Sequence, residues 1–119
     1  MKHNPEKLTT VRIEVTDRLV KTGTVNDSQD CPVARALKKV VSKNVEVEAD
    51  YDDITFATED GDFQQIATPA RVSKFMEKID ARDLDARDYD DDSEIPPLPK
   101  AFAFNLKIKN KFLKPSFRA

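Results

Sequence analysis

Cys31, the sole cysteine, has the residue type most suited to chemistry, and it sits in the run Asp30-Cys31-Pro32-Val33-Ala34-Arg35-Ala36-Leu37. Asp30 offers a carboxylate to the orphan N–H groups of a first helical turn, where Pro32 is tolerated because its missing N–H has no partner to lose. A thiol there lies near the positive pole of the helix, which favours the thiolate and hence a nucleophile. Such a nucleophile wants a base beside it, and the only histidine is His3, in the N-terminal leader. The pattern therefore predicts a small apolar residue that seats a helix, and no catalytic residue. A zinc site needs about four suitably spaced Cys, His or carboxylate ligands, and one cysteine with one distant histidine does not supply them. The only glycines, Gly23 and Gly61, leave no glycine-rich phosphate loop, so no cofactor is expected.

Charge carries more information. The net charge of -2 hides a strong segregation. Asp80, Asp83, Asp85, Asp88, Asp90, Asp91, Asp92 and Glu94 crowd one segment against Arg82 and Arg87, whereas Lys100, Lys107, Lys109, Lys111, Lys114 and Arg118 follow with no acid among them. Such polarity speaks of partners rather than of fold. The acidic stretch, built around the tandem Asp80-Ala81-Arg82-Asp83 and Asp85-Ala86-Arg87-Asp88, lacks the glycine and spacing of a calcium-binding loop. It suits contact with a partner protein, or local imitation of a nucleic-acid backbone, through Asp83, Asp85, Asp88, Asp90, Asp91 and Asp92. The C-terminal stretch interleaves Lys107, Lys109, Lys111, Lys114 and Arg118 with Phe112 and Phe117. Cations of that kind neutralise phosphates while rings stack on bases, so nucleic acid is the alternative partner.

The elements that must position these residues follow from periodicity. Val11, Ile13 and Val15 alternate with Arg12 and Glu14, which predicts a half-buried strand. Asp17 to Gly23 suits a short helical turn. Val33, Leu37, Val40 and Val41 then repeat at helical spacing, with Lys38, Lys39 and Lys43 at the negative end. Strands are expected at 45–49, 54–58 and 63–67, the last two joined through Asp60-Gly61. Thr68-Pro69 opens a second helix, whose Val72, Phe75, Met76 and Ile79 form an apolar stripe. Residues 81–99, ending in Pro96, Pro97 and Pro99, read as an exposed acidic loop. Phe102, Phe104, Leu106 and Ile108 mark the clearest strand.

The expected fold class is α+β: a two-layer sandwich of two amphipathic helices on a four- to five-stranded, mainly antiparallel sheet. Residues 1–9 are expected to be a flexible leader, 10–109 a single domain, and 110–119 a basic tail frayed or ordered by a partner. The chain has 39% hydrophobic and 35% charged residues, with a mean hydropathy of -0.62. It has no apolar run long enough to span a bilayer and no signal-peptide core. A lone cysteine fits a reducing cytoplasm. An exposed strand edge would support a homodimer, and the oligomeric state stays open.

Several of these residues also form a pattern. Ile13-Glu14-Val15-Thr16, Gly23 and the Asp30–Leu37 run, followed by Phe75, Ile79 and Asp80 and then Phe102-Ala103-Phe104-Asn105-Leu106, resemble a family of small bacteriophage and prophage proteins. In that family a strand precedes a helix opening Cys-Pro-(Val/Ile)-Ala-x-Ala-Leu, and a Phe-x-Phe strand lies near the C-terminus. The resemblance covers roughly residues 11–37 and 70–106, and this chain adds the acidic repeat and the basic tail. It brings no activity with it. What it implies is the context of a phage accessory gene. With the missing catalytic constellation and the segregated charge, the expectation is a non-catalytic protein of the host cytoplasm that acts by binding a host macromolecule, with inhibition of that macromolecule as one form of the action.

Overall fold

The computed structural model describes residues 4–24, 27–88 and 99–118, with backbone alone for 82–88. Strand β1 runs Leu8–Val15 and pairs antiparallel with β5, Phe102–Lys109. Alternation puts Val11, Ile13 and Val15 on the same side as Phe104, Leu106 and Ile108, all buried, with Ile13 opposite Phe104 and Val11 opposite Leu106. Strands β2 (Glu46–Ala49), β3 (Asp53–Ala57) and β4 (Phe63–Ala67) form a separate antiparallel meander. Its β3–β4 connection turns at Gly61, whose φ of +94° is the left-handed conformation that glycine adopts without penalty.

Among the described residues the α-helices are α1 (Asp17–Thr22), α2 (Pro32–Lys38) and α3 (Ala70–Asp88), with α2 packed on β1 and β2 and α1 on α2. The molecule is therefore α+β, as expected, but its strands are divided between a two-stranded and a three-stranded sheet instead of lying in one. Both sheets contribute to one buried core, and Gln64 adds a polar link between them. Its side chain accepts from the Lys109 N–H at 2.9 Å and donates to the Lys107 carbonyl at 3.2 Å. These groups face away from β1, because the backbone groups of alternate residues point to opposite edges. A side-chain amide thus takes the place that a sixth strand would occupy along β5. Aromatic rings fix α3, with Phe75 and Phe102 centroids 4.6 Å apart and the Arg71 guanidinium 5.8 Å from the Phe102 ring.

Four expectations are corrected. The stretch 81–88 is not loop: α3 continues through it to Asp88, while 89–98 lie outside the described residues. The leader is fastened from Asn4 onward, since Asn110 Nδ2 donates to the Asn4 carbonyl and β1 already begins at Leu8. Thr68 does not cap α3; its hydroxyl donates to the Asp50 carbonyl at 2.7 Å. Finally, residues 110–118 are no frayed tail. They form two short 3-10 turns with Phe112 and Leu113 fully buried, Phe112 stacking on Phe56 at 6.0 Å. An apolar pair of that size outweighs the surrounding lysines, because burying each large side chain is worth about 1.5–3 kcal/mol.

Candidate functional site

The start of α2 is built differently from its sequence reading. The N-cap is Cys31, whose sulfur accepts from the Ala34 N–H at 3.5 Å, a weak cap because sulfur is a poor acceptor. Asp30 is turned instead toward Arg35, which donates to both carboxylate oxygens at 3.0 Å, while the Thr24 hydroxyl donates to the same group at 2.6 Å. The Arg35 and Thr24 donors hold the Asp30 carboxyl down at about 2. Its stabilising contribution is present above the ordinary value of 3.8 and is lost as pH falls through about 2. Urea midpoints measured from pH 5 to pH 2 are expected to fall, and to fall less steeply in Asp30→Asn; equal slopes contradict this role.

Behind that clamp lies a cleft of about 230 Å³ between the start of α2, the β2–β3 turn and α3. Cys31, Pro32, Ala49, Phe75, Met76 and Ile79 line its interior; Asp27, Ser28, Asp50, Tyr51 and Asp80 complete it. The turn is pinned at three points, two on α3 and one on Thr68 just before it. Thr68 donates to the Asp50 carbonyl, the Ser73 hydroxyl donates to the Tyr51 carbonyl, and the Tyr51 hydroxyl donates to Asp80. The Asp80 carboxylate pushes the Tyr51 phenol up to about 12. On the other wall the Ala49 N–H donates to the Ser28 carbonyl at 2.8 Å, fixing the loop that carries Asp27.

Cys31 is buried, and desolvation, joined by the charge of Asp80, pushes its thiol above the ordinary value of 9.0, more than the Ala34 N–H lowers it. Loss of solvation thus outweighs the helix pole, and the residue is the neutral thiol at pH 7. Iodoacetamide is expected to modify it at least about tenfold more slowly than a free cysteine at neutral pH, the rate still rising above pH 9. Rapid labelling at pH 7 contradicts this. Among the described residues no three His, Cys, Asp or Glu side chains converge as a metal would require, nor is any helix long and apolar enough to cross a membrane.

The binding residues expected from charge fare unevenly. Asp83, Asp85 and Asp88 lie on the last turns of α3, the helix that walls the cleft, and Asp90, Asp91 and Asp92 lie outside the described residues. On the basic side, Lys109 and Lys111 both pair with Glu6, and Lys111 also reaches Asp62 at 3.3 Å. Phe112 is a correction: fully buried against Phe56, it has no face to offer a partner. Lys107 is exposed, Lys114 is half-buried, and Arg118 donates to the Leu113 carbonyl at 2.9 Å. The basic stretch is largely a fastening for the C-terminus. The cleft was missed from the sequence because its parts come from four separate places, and only Asp30–Pro32 and the Phe75–Asp80 stripe carried any signal.

Comparison with known proteins leaves the geometry to speak alone: no protein-family model, curated protein or solved structure matches the chain.

Proposed function

We propose that this chain is a small, non-catalytic accessory protein of bacteriophage or prophage type. It acts in the host cytoplasm by binding a host or phage protein, with the cleft between α2, the β2–β3 turn and α3 as its recognition site. The carrying observation is the cleft itself, with apolar walls and carboxylates at its mouth, the composition of a binding site. The protonated Cys31 thiol supports a binding role over a chemical one, because a nucleophile needs an anion or an adjacent base. The acidic end of α3 extends the same charge beyond the cleft. The basic C-terminal stretch gives nucleic acid less support, since Phe112 is buried, which leaves only the Phe117 ring exposed, and two of its lysines are paired.

Affinity capture from host lysate with wild type and with Asp50→Lys tests this. Asp50 is exposed at the mouth, and among the described residues its hydrogen bonds are backbone ones, so the variant is expected to keep the fold and reverse the charge. A partner held by the wild type and depleted about tenfold in the variant is expected, a loss of about 1.4 kcal/mol. Identical sets of captured proteins overturn the proposal.

A further inference from the structure

Strand β1 has β5 along one edge only, in an unbroken register from Leu8 opposite Lys109 to Val15 opposite Phe102. Along its other edge no strand pairs with it among the described residues. Gln64 fixes which backbone groups lie on that edge. Because it bonds the Lys109 N–H and the Lys107 carbonyl on the side away from β1, the residues that bond β1 are Ile108, Leu106 and Phe104, opposite Thr9, Val11 and Ile13. The N–H and C=O groups of Leu8, Thr10, Arg12 and Glu14 therefore point outward. Among the described residues those backbone groups have no hydrogen-bond partner, and all four residues are exposed.

Such an edge is a template for another strand unless brevity, proline, a bulge or repelling charge blunts it. β1 is eight residues long, has no proline and is paired without a bulge. Its two charges are of opposite sign, with Arg12 and Glu14 on the same face at 3.3 Å. They do not repel a copy of themselves in every alignment, and their order selects one.

Two β1 edges can pair antiparallel about a two-fold axis, the self-complementary contact of a homodimer. Outward groups must meet outward groups, so Arg12 can face Leu8, Thr10, Arg12 or Glu14 of the second copy. Facing Arg12 it meets like charge, and facing Leu8 or Thr10 it gains no ion pair. Facing Glu14 it is matched, and so is its symmetry mate. The axis then passes beside Ile13, and the four charges form a ring of alternating sign. Opposite charges across a strand pair stabilise it and like charges destabilise it.

We infer that β1 is a self-pairing edge, joined to β1 of a second copy with Arg12 opposite Glu14. The outward N–H and C=O groups of those two residues supply the central hydrogen bonds. Exposed ion pairs add little affinity singly, so their part is to fix register and partner. No residue of β1 lines the cleft, and the inference stands apart from the recognition role proposed above.

Sedimentation of the full-length protein over a concentration series tests this, together with Arg12→Glu and Glu14→Arg. Both side chains are largely exposed, at 69% and 66%, which keeps the substitutions at the surface. Wild type is expected to form a dimer reversibly. Each single variant sets like charges opposite one another, and its dimer is expected to be at least about tenfold weaker. An equimolar mixture of the two variants is expected to recover the dimer, as is the double variant alone. Hydrogen exchange of wild type gives a readout that needs no variant: the Arg12 and Glu14 amides are expected to gain protection as concentration rises. A wild type still monomeric at about 1 mM, or amides that exchange equally at low and high concentration, overturns the inference. So does a dimer that both single variants retain, because its interface or register is then a different one. If the chain is monomeric and those amides gain protection only in host lysate, the second copy is overturned as the occupant, and the edge belongs to a strand of another protein.

Discussion

Phe112→Ala is expected to destabilise the protein by about 3–5 kcal/mol, the range for emptying a buried phenyl site. Nothing in the local sequence announces this, since Phe112 stands among Lys109, Lys111 and Lys114 near the C-terminus. The structure buries it completely, stacked on Phe56 of β3, and ties the backbone on either side of it. The Phe112 carbonyl accepts from the Ser42 N–H at 2.9 Å, and the Lys114 N–H donates to the Val40 carbonyl at 2.9 Å. Leu113 bridges Val41, so the chain end closes the core beside the end of α2. A domain of this size is stable by about 5–15 kcal/mol in all, and one such cavity removes a large part of that. Urea unfolding of the variant measures it. A midpoint unchanged from wild type would show that the C-terminal segment is peripheral after all, whereas Phe117→Ala, at an exposed ring, is expected to change little.

Gly23→Ala is expected to cost about 2–3 kcal/mol, near the upper end for forcing an extra carbon into a filled space. The reason is proximity rather than backbone freedom, because Gly23 has a φ of -65°, open to any residue. A Cβ there would stand 2.6 Å from both the nitrogen and the Cδ of Pro32. The nitrogen is backbone and cannot swing aside, so α1 and α2 must separate. That separation would disturb the Asp30–Arg35 clamp and the Cys31 wall of the cleft. Gly61→Ala makes the opposite case: nothing lies within 4 Å of its Cβ, and the φ of +94° alone is strained, a cost of about 1–2 kcal/mol. Thermal melts of the two variants distinguish the mechanisms. A Gly23→Ala protein as stable as wild type would refute the close contact.

What the sequence made readable was what periodicity controls. The alternation through Val11, Ile13 and Val15, the Phe102–Ile108 face, the Asp60-Gly61 turn and the Val72–Ile79 stripe all correspond to observed elements, because burial on one face imposes its own repeat. Charge was misleading in two places. The aspartates after Ile79 suggested a loop, yet the helix runs on to Asp88, since a well-anchored helix can extend through residues of moderate propensity. The lysines around Phe112 suggested a solvated tail, yet one phenyl group and Leu113 decided the matter. The Gln64 amide that links the two sheets is a long-range contact that no local pattern encodes. The cleft is hidden for the same reason. Tyr51 and Asp80 meet across the gap between a turn and a helix, and only the assembled chain brings them together.

The most direct test of the recognition site places a photo-crosslinking aromatic residue at position 51, on the mouth of the cleft, and separately at position 63, an exposed ring on β4 outside the residues that line it. Irradiation in host lysate is expected to yield a discrete adduct from position 51 that is lost when Asp50→Lys is added, and none of that mass from position 63. The same adduct from position 63, or an adduct from position 51 that Asp50→Lys leaves intact, would contradict the account.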